Sequence, residues 1–329
     1  MTNNGDDSRE SLAVEWLQPA SVRPLPGARL VWRSPPRSRR SLIMAIALFV
    51  ATAFSTLAAG AQFAAAYAAG QAPAFDNFFA AYFRPFVEPR LFLAGIPFAA
   101  TLMGILLAHE LGHFFACRYY RIDATYPYFV PAPTLIGTLG AFIRIRSPIV
   151  DRRALFDMAF AGPLVGFLFA VPALAIAVAH SKIVFAAQSD ASLVFGRPLI
   201  EWLLESLLRP GAAHANLLLD PVGRAAWVGL FATALNLLPA GQLDGGHILY
   251  TLTSGWHRRI TIGVAVALVP LAVWFWWGWL MWATLLMIIA FRHPPLIDTW
   301  TPLDARRRML AVAALVIFVL CFMPAPFVV

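Results

Sequence analysis

Two histidines four residues apart, in His109-Glu110-Leu111-Gly112-His113, fall on one face of any helix that carries them. That spacing lets both imidazoles hold one metal ion. The Glu110 carboxylate, one residue along, reaches a water on that ion without being a ligand. Neutral imidazoles with a carboxylate partner suit zinc, and a catalytic zinc takes three protein ligands and a water. A third donor must therefore come from elsewhere. The run Asn236-Leu237-Leu238-Pro239-Ala240-Gly241-Gln242-Leu243-Asp244-Gly245-Gly246-His247 offers two. Asp244 is followed by glycines that let the backbone turn tightly and approach a metal; His247 lies three residues on. An HExxH pattern also arises by chance in soluble proteins. Here it sits inside a long apolar run, where ionisable side chains are costly and mark function.

The elements that must position these groups are set by composition. Of 329 residues, 60% are apolar and 13% charged, and the mean hydropathy is +0.70. A soluble domain is about 45–50% apolar and about 25% charged. The surplus excludes a soluble globular enzyme and a disordered protein, and it requires lipid to accept apolar surface. Barrel strands would alternate over about ten residues, whereas these runs are longer and continuous. Apolar segments cover residues 41–66, 91–117, 154–179, 225–240, 259–276, 278–291 and 308–323. The predicted class is an all-α polytopic membrane protein of about six to seven transmembrane helices, with a short strand or hairpin near the active site.

The net charge of +8 comes from 25 basic residues, all arginine except Lys182. With the N-terminus inside, 19 of those 25 fall in cytoplasmic pieces, as the positive-inside rule requires. The charge thus sets topology rather than nucleic-acid binding, with the N-terminus cytoplasmic and the C-terminus outside. Residues 1–40, rich in arginine and proline, read as a flexible cytoplasmic tail. Residues 41–323 form the membrane domain, with a catalytic core over about 91–250. The second and fourth segments both run from outside to inside, so the two motifs fall at one membrane depth. The aromatic Trp276-Trp277-Gly278-Trp279 predicts an interfacial turn.

Residues 118–153 are expected on the cytoplasmic side. They hold Pro127, Pro131 and Pro133, then Gly137 and Gly140, then the alternating Ala141-Phe142-Ile143-Arg144-Ile145-Arg146, which predicts an irregular loop leading into a hairpin or single strand, with the strand over 141–146. A strand of this kind can take up an extended peptide by β-augmentation, which makes Gly137, Gly140, Ala141, Phe142 and Ile143 candidate binding residues for such a peptide. Residues 180–224 lie outside and include an amphipathic stretch, 199–208, suited to the interface. Gly162 and Gly166 form a small-xxx-small pair that predicts close helix packing. Cys117 and Cys321 lie in apolar runs with no metal-ligand or disulfide spacing, as small core residues do.

Taken together, His109-Glu110-Leu111-Gly112-His113 and Asn236-x-x-Pro239-x-x-x-Leu243-Asp244-Gly245-Gly246 resemble the site-2 protease family of intramembrane zinc metalloproteases. So do Phe160-Ala161-Gly162-Pro163-Leu164-Val165-Gly166 and Gly137-Thr138-Leu139-Gly140-Ala141. The resemblance spans roughly residues 95–250. It implies one zinc ion on His109, His113 and Asp244, Glu110 as catalytic acid/base, and Asn236 as a helper near the substrate carbonyl or backbone. It also implies substrates embedded in the bilayer, such as single-span membrane-tethered regulators, cut near the cytoplasmic side in regulated intramembrane proteolysis. Many members carry PDZ or CBS modules; the 180–224 loop is too short for a PDZ domain, so a minimal member is expected. The alternative is a non-proteolytic membrane protein that binds or transports metal. An intact Glu110 argues against it, and the absence of an internal repeat argues against a transporter built from duplicated halves. The arginine-rich composition, with no serine-rich transit peptide, points to a bacterial plasma membrane.

Overall fold

A computed structural model of the protein describes residues 39–71, 78–149, 151–184, 194–212, 216–289 and 301–328. The predicted tail, 1–40, lies outside the described residues except for its last two. Every predicted apolar segment contains a helix. In chain order these are α1 (Arg39–Ala68), α2 (Phe78–Val87), α3 (Arg90–Tyr119), α4 (Arg152–Ala179), α5 (Leu199–Leu208), α6 (Pro221–Asn236), α7 (Asp244–Leu252), α8 (His257–Trp274), α9 (Gly278–Ile289) and α10 (Ala305–Cys321). Four of them, α1, α3, α4 and α8, are long and apolar enough to cross a membrane. The protein is a multi-pass membrane protein.

Helix starts follow the local chemistry of capping. Asp151, Asp220 and Asp304 each accept a hydrogen bond from a backbone N–H in the first turn of α4, α6 and α10, and Pro221 supplies a preset φ at the start of α6. One helix end departs from expectation. The apolar pattern predicts a segment to residue 240, but α6 stops at Asn236 and the chain restarts as α7. Pro239 has no N–H to continue a helix, and Gly241 turns the chain at φ 58°. Neither α7 nor α2 is marked by a separate apolar run.

The helix ends sort into two sets. On α10, the Arg307 guanidinium bonds Asp157 of α4 (Nε to Oδ1, 2.8 Å) and donates to the Tyr120 hydroxyl just past α3 (3.1 Å). The C-terminal end of α3 and the N-terminal ends of α4 and α10 therefore lie together. At the other set, β3 (Lys182–Val184) pairs with β5 (Asn216–Leu218), and β4 (Val194–Phe195) pairs with β6 (Phe327–Val328). Lys182 Nζ donates to the Tyr67 carbonyl at the end of α1. The final strand thus shares an end of the molecule with the 180–224 region. α5 turns Glu201 and Glu205 inward and leaves Trp202, Leu203 and Leu207 exposed, the arrangement of a helix lying in an interface. Between α8 and α9, Trp277 is exposed, while buried Trp279 donates through Nε1 to the Pro324 carbonyl.

The hairpin differs most from expectation. β1 (Tyr128–Pro131) pairs antiparallel with β2 (Thr138–Phe142), matching Tyr128 to Phe142 and Phe129 to Ala141. The predicted strand over 141–146 begins three residues too late; beyond Phe142, only Ile145 pairs, in an isolated bridge with Ala124. Alternation along one strand cannot reveal its partner, and here Thr138 braces the turn through hydrogen bonds to the Val130 carbonyl and from the Gly140 N–H. Nor does the hairpin stay at the membrane surface. It climbs along α1, from Ser41 Oγ against the Tyr128 hydroxyl (2.6 Å), past the Phe49 ring on the edge of Phe129, to Ser55 Oγ on the Gly137 carbonyl (2.6 Å). Ser41 and Ser55 are about 21 Å apart along the helix axis at 1.5 Å rise per residue. Non-helical backbone at that depth is tolerated because it is packed against protein.

Candidate metal centre

α3 carries His109, Glu110 and His113 in its cytoplasm-proximal half by the expected topology; His109 and Glu110 are each 5% exposed. The i,i+4 spacing brings the two Nε2 atoms to 3.1 Å. The turn after α6 delivers Asp244 to the first position of α7, and its Oδ2 lies 3.4 Å from both Nε2 atoms. One ligand atom from each residue falls within 4.8 Å of the others. His113 Nδ1 lies 2.7 Å from the Met158 carbonyl of α4, a bond that requires a proton on Nδ1. In the neutral ring this leaves Nε2 a lone pair facing the cluster. Two nitrogen lone pairs and a carboxylate oxygen converging on one point repel each other unless a cation lies among them. The donor set therefore fits a divalent metal, and its N, N, O character fits zinc.

The two candidate third donors stand in different places. Asp244 joins the histidines; His247 lines the same cavity but stands outside the donor cluster. The glycines after Asp244 serve the turn rather than the metal. A Cβ on Gly246 would lie 2.5 Å from the carbonyl oxygens of Ala240 and Gly241, so only glycine lets α7 fold back on that loop. Asn236, the last residue of α6, places Nδ2 3.3 Å from His109 Nε2.

The cavity at this site has a volume of about 220 Å³ and is lined by Glu110, the three donors, Asn236 and Gln242. Ala141, Phe142 and Ile143 form its wall on the hairpin side, and the Ile143 backbone N–H is directed at the Glu110 carboxylate. Gly137 and Gly140 do not line it. Gly137 (φ 77°) packs on α1, and Gly140 (φ 104°) has open space above its Cα.

Two residues read in sequence only as helix packing prove to floor the centre. Gly162 on α4 lies directly beneath the His113 imidazole, where any Cβ would overlap the ring. Gly166, one turn on, underlies His109, and a Cβ there would come 3.1 Å from Nδ1. Their spacing of four matches the spacing of the histidines, a signal present in the sequence. Which face of α4 meets α3 was not.

The model of peptidase family M50 matches residues 97–275. Probable zinc metalloprotease EGY1, chloroplastic, of Arabidopsis thaliana is 33% identical over 254 residues, which are 73% of this chain and 44% of that protein. Probable zinc metalloprotease EGY2, chloroplastic, of the same plant is 32% identical over 248 residues, 71% of this chain and 42% of the relative. The chain thus spans less than half the length of these relatives. No solved structure matches it. A family match across more than half of the chain, over the span that holds both halves of the converging donor set, leaves one assignment: the chain belongs to peptidase family M50, the site-2 protease family.

Proposed function

We propose that this protein is an intramembrane zinc metalloprotease that hydrolyses peptide bonds of transmembrane substrates near the cytoplasmic side. The observation that carries this reading is the convergence of His109, His113 and Asp244 beside Glu110 in one cavity, with three of the four on a membrane-spanning helix. His109, His113 and Asp244 would hold the zinc, which would supply Lewis acidity that makes water a nucleophile near neutral pH. Glu110 takes the proton from the attacking water and delivers it to the leaving amide nitrogen. Asn236, beside His109, donates from Nδ2 toward the oxygen on which charge develops. The free edge of β2 supports the strand-pairing reading of substrate binding. β2 is paired only to β1 among the described residues, and its end opens into the cavity. The test is purified full-length protein in liposomes with a single-span model substrate. Cleavage that requires one zinc per chain supports the reading; a zinc-loaded protein that cleaves no helix overturns it.

Two local predictions follow from these roles. Asn236→Ala is expected to lower kcat by about 10²-fold, the cost of one oxyanion donor, with zinc content unchanged by elemental analysis. Ala141→Pro removes an N–H and distorts β2, and is expected to raise KM for helical substrates while leaving zinc bound. Steady-state cleavage of a fluorescent helix measures both.

The substrates proposed are single-span regulators, and the compartment a bacterial plasma membrane with the N-terminus cytoplasmic. The arginine excess at the end of the molecule that carries the metal centre supports that orientation. The plant relatives are chloroplastic by name, which makes a plastid membrane the rival location. Cysteine-accessibility labelling at positions 306 and 182 in intact cells decides orientation; modification of 306 from outside would reverse it.

A further inference from the structure

We propose that Ser55 on α1 is a positioning residue for substrate binding, setting the depth at which β2 presents its edge to the metal centre; this rests on the protease reading above. The turn between β1 and β2 packs against the middle of α1, where an unsatisfied carbonyl is costly because no bulk water relieves it. The Gly137 carbonyl accepts a weak bond from the Ala132 N–H at 3.3 Å and a strong one from Ser55 Oγ at 2.6 Å. The hydroxyl can turn instead to the Thr52 carbonyl of its own helix (3.0 Å), but the shorter contact is to Gly137. The fit is close as well as polar. Gly137 sits at φ 77°, and a Cβ there would lie 2.6 Å from the Ser55 carbonyl carbon and the Thr56 Cα. From α2, the Tyr82 hydroxyl donates to the Ser55 carbonyl at 3.2 Å, bracing the same turn of α1 from behind.

The consequence is mechanical. Thr138, next in the chain, ties the turn to both strands through the Val130 carbonyl and the Gly140 N–H. β2 then runs through Gly140 (φ 104°) to Ala141 and Phe142 at the cavity, and Ile143 just beyond it lines the same cavity beside Glu110. A hairpin pinned at its tip holds its far end in register with the catalytic groups. Released at the tip, it keeps its sequence and strand pairing but loses its fixed height against the substrate.

The test uses the full chain in nanodiscs as wild type, Ser55→Ala, Ser55→Thr and Gly137→Ala. Two readouts are taken: kinetics on a single-span substrate and hydrogen exchange of residues 138–143. Ser55→Ala is expected to raise KM about tenfold, the scale of one buried hydrogen bond, with kcat and zinc content near wild type. Exchange over 138–143 should quicken, and Ser55→Thr should restore both. Gly137→Ala should show the larger KM effect, because its Cβ has nowhere to go. Unchanged KM and exchange in Ser55→Ala overturn the assignment. So does a fall in kcat with loss of zinc, which would mark a general structural defect. If wild type cleaves nothing, the protease reading fails, and exchange over 138–143 still decides whether Ser55 holds the hairpin.

Discussion

Glu110→Gln is expected to abolish cleavage while leaving one zinc ion per chain. Glutamine keeps the side chain's length and can still accept a hydrogen bond from the Ile143 N–H, so the cavity wall is preserved. It cannot take a proton. General acid–base catalysis contributes about 10²–10⁴-fold. Glu110 is assigned both the deprotonation of water and the protonation of the leaving amine, so kcat should fall at least to the upper part of that range. The metal should stay, because Glu110 stands outside the donor set of His109, His113 and Asp244. Asp244→Ala gives the complementary pattern, losing zinc and activity together. Elemental analysis of the purified variants beside a cleavage assay separates the two. Cleavage at wild-type rate by Glu110→Gln would remove the mechanism.

Gly162→Ala adds one methyl group and is expected to weaken zinc binding strongly. The new Cβ would occupy the place of the His113 ring. The ring has no room to retreat, since Nδ1 is held by the Met158 carbonyl at 2.7 Å and Nε2 faces the metal donors. Parting the helices would break the close contact of α3 and α4 at Gly112, where a Cβ would lie 2.6 Å from the Ala161 carbonyl oxygen. Altering a residue that supports a metal ligand typically lowers metal affinity about 10–100-fold, and an overlap this direct should reach the top of that range. Activity should fall in parallel and recover partly in excess zinc. Gly104→Ala is the control. It lies on α3, the helix that carries His113, with nothing within 4 Å of an added Cβ, so it should bind zinc normally and stabilise that helix slightly. Zinc titration of the two variants measures the contrast. Equal affinities would show that α4 does not floor the centre.

Sequence alone determined what is local or compositional. The apolar excess required a bilayer, because no globule of this size could bury it. Four-residue spacing put His109 and His113 on one face before any fold was known, because helix periodicity is a property of the backbone. Asn236 and Asp244 were legible as partners because their segment runs the same way through the membrane and ends at the same depth. The tertiary structure decided whatever depends on which faces meet. Asp244 and His247 share one side of α7, and only the packing of that helix against α4 decides which of them joins the histidines and which lines the cavity wall. Gly162 and Gly166 looked like any packing pair until α4 brought them under the two histidines. The hairpin's register and depth come from β1 and from Ser55, whose contact with Gly137 joins positions 82 residues apart. No pattern within a single segment encodes such a contact, because the bilayer makes Gly137's carbonyl find a donor and leaves the choice of donor to packing.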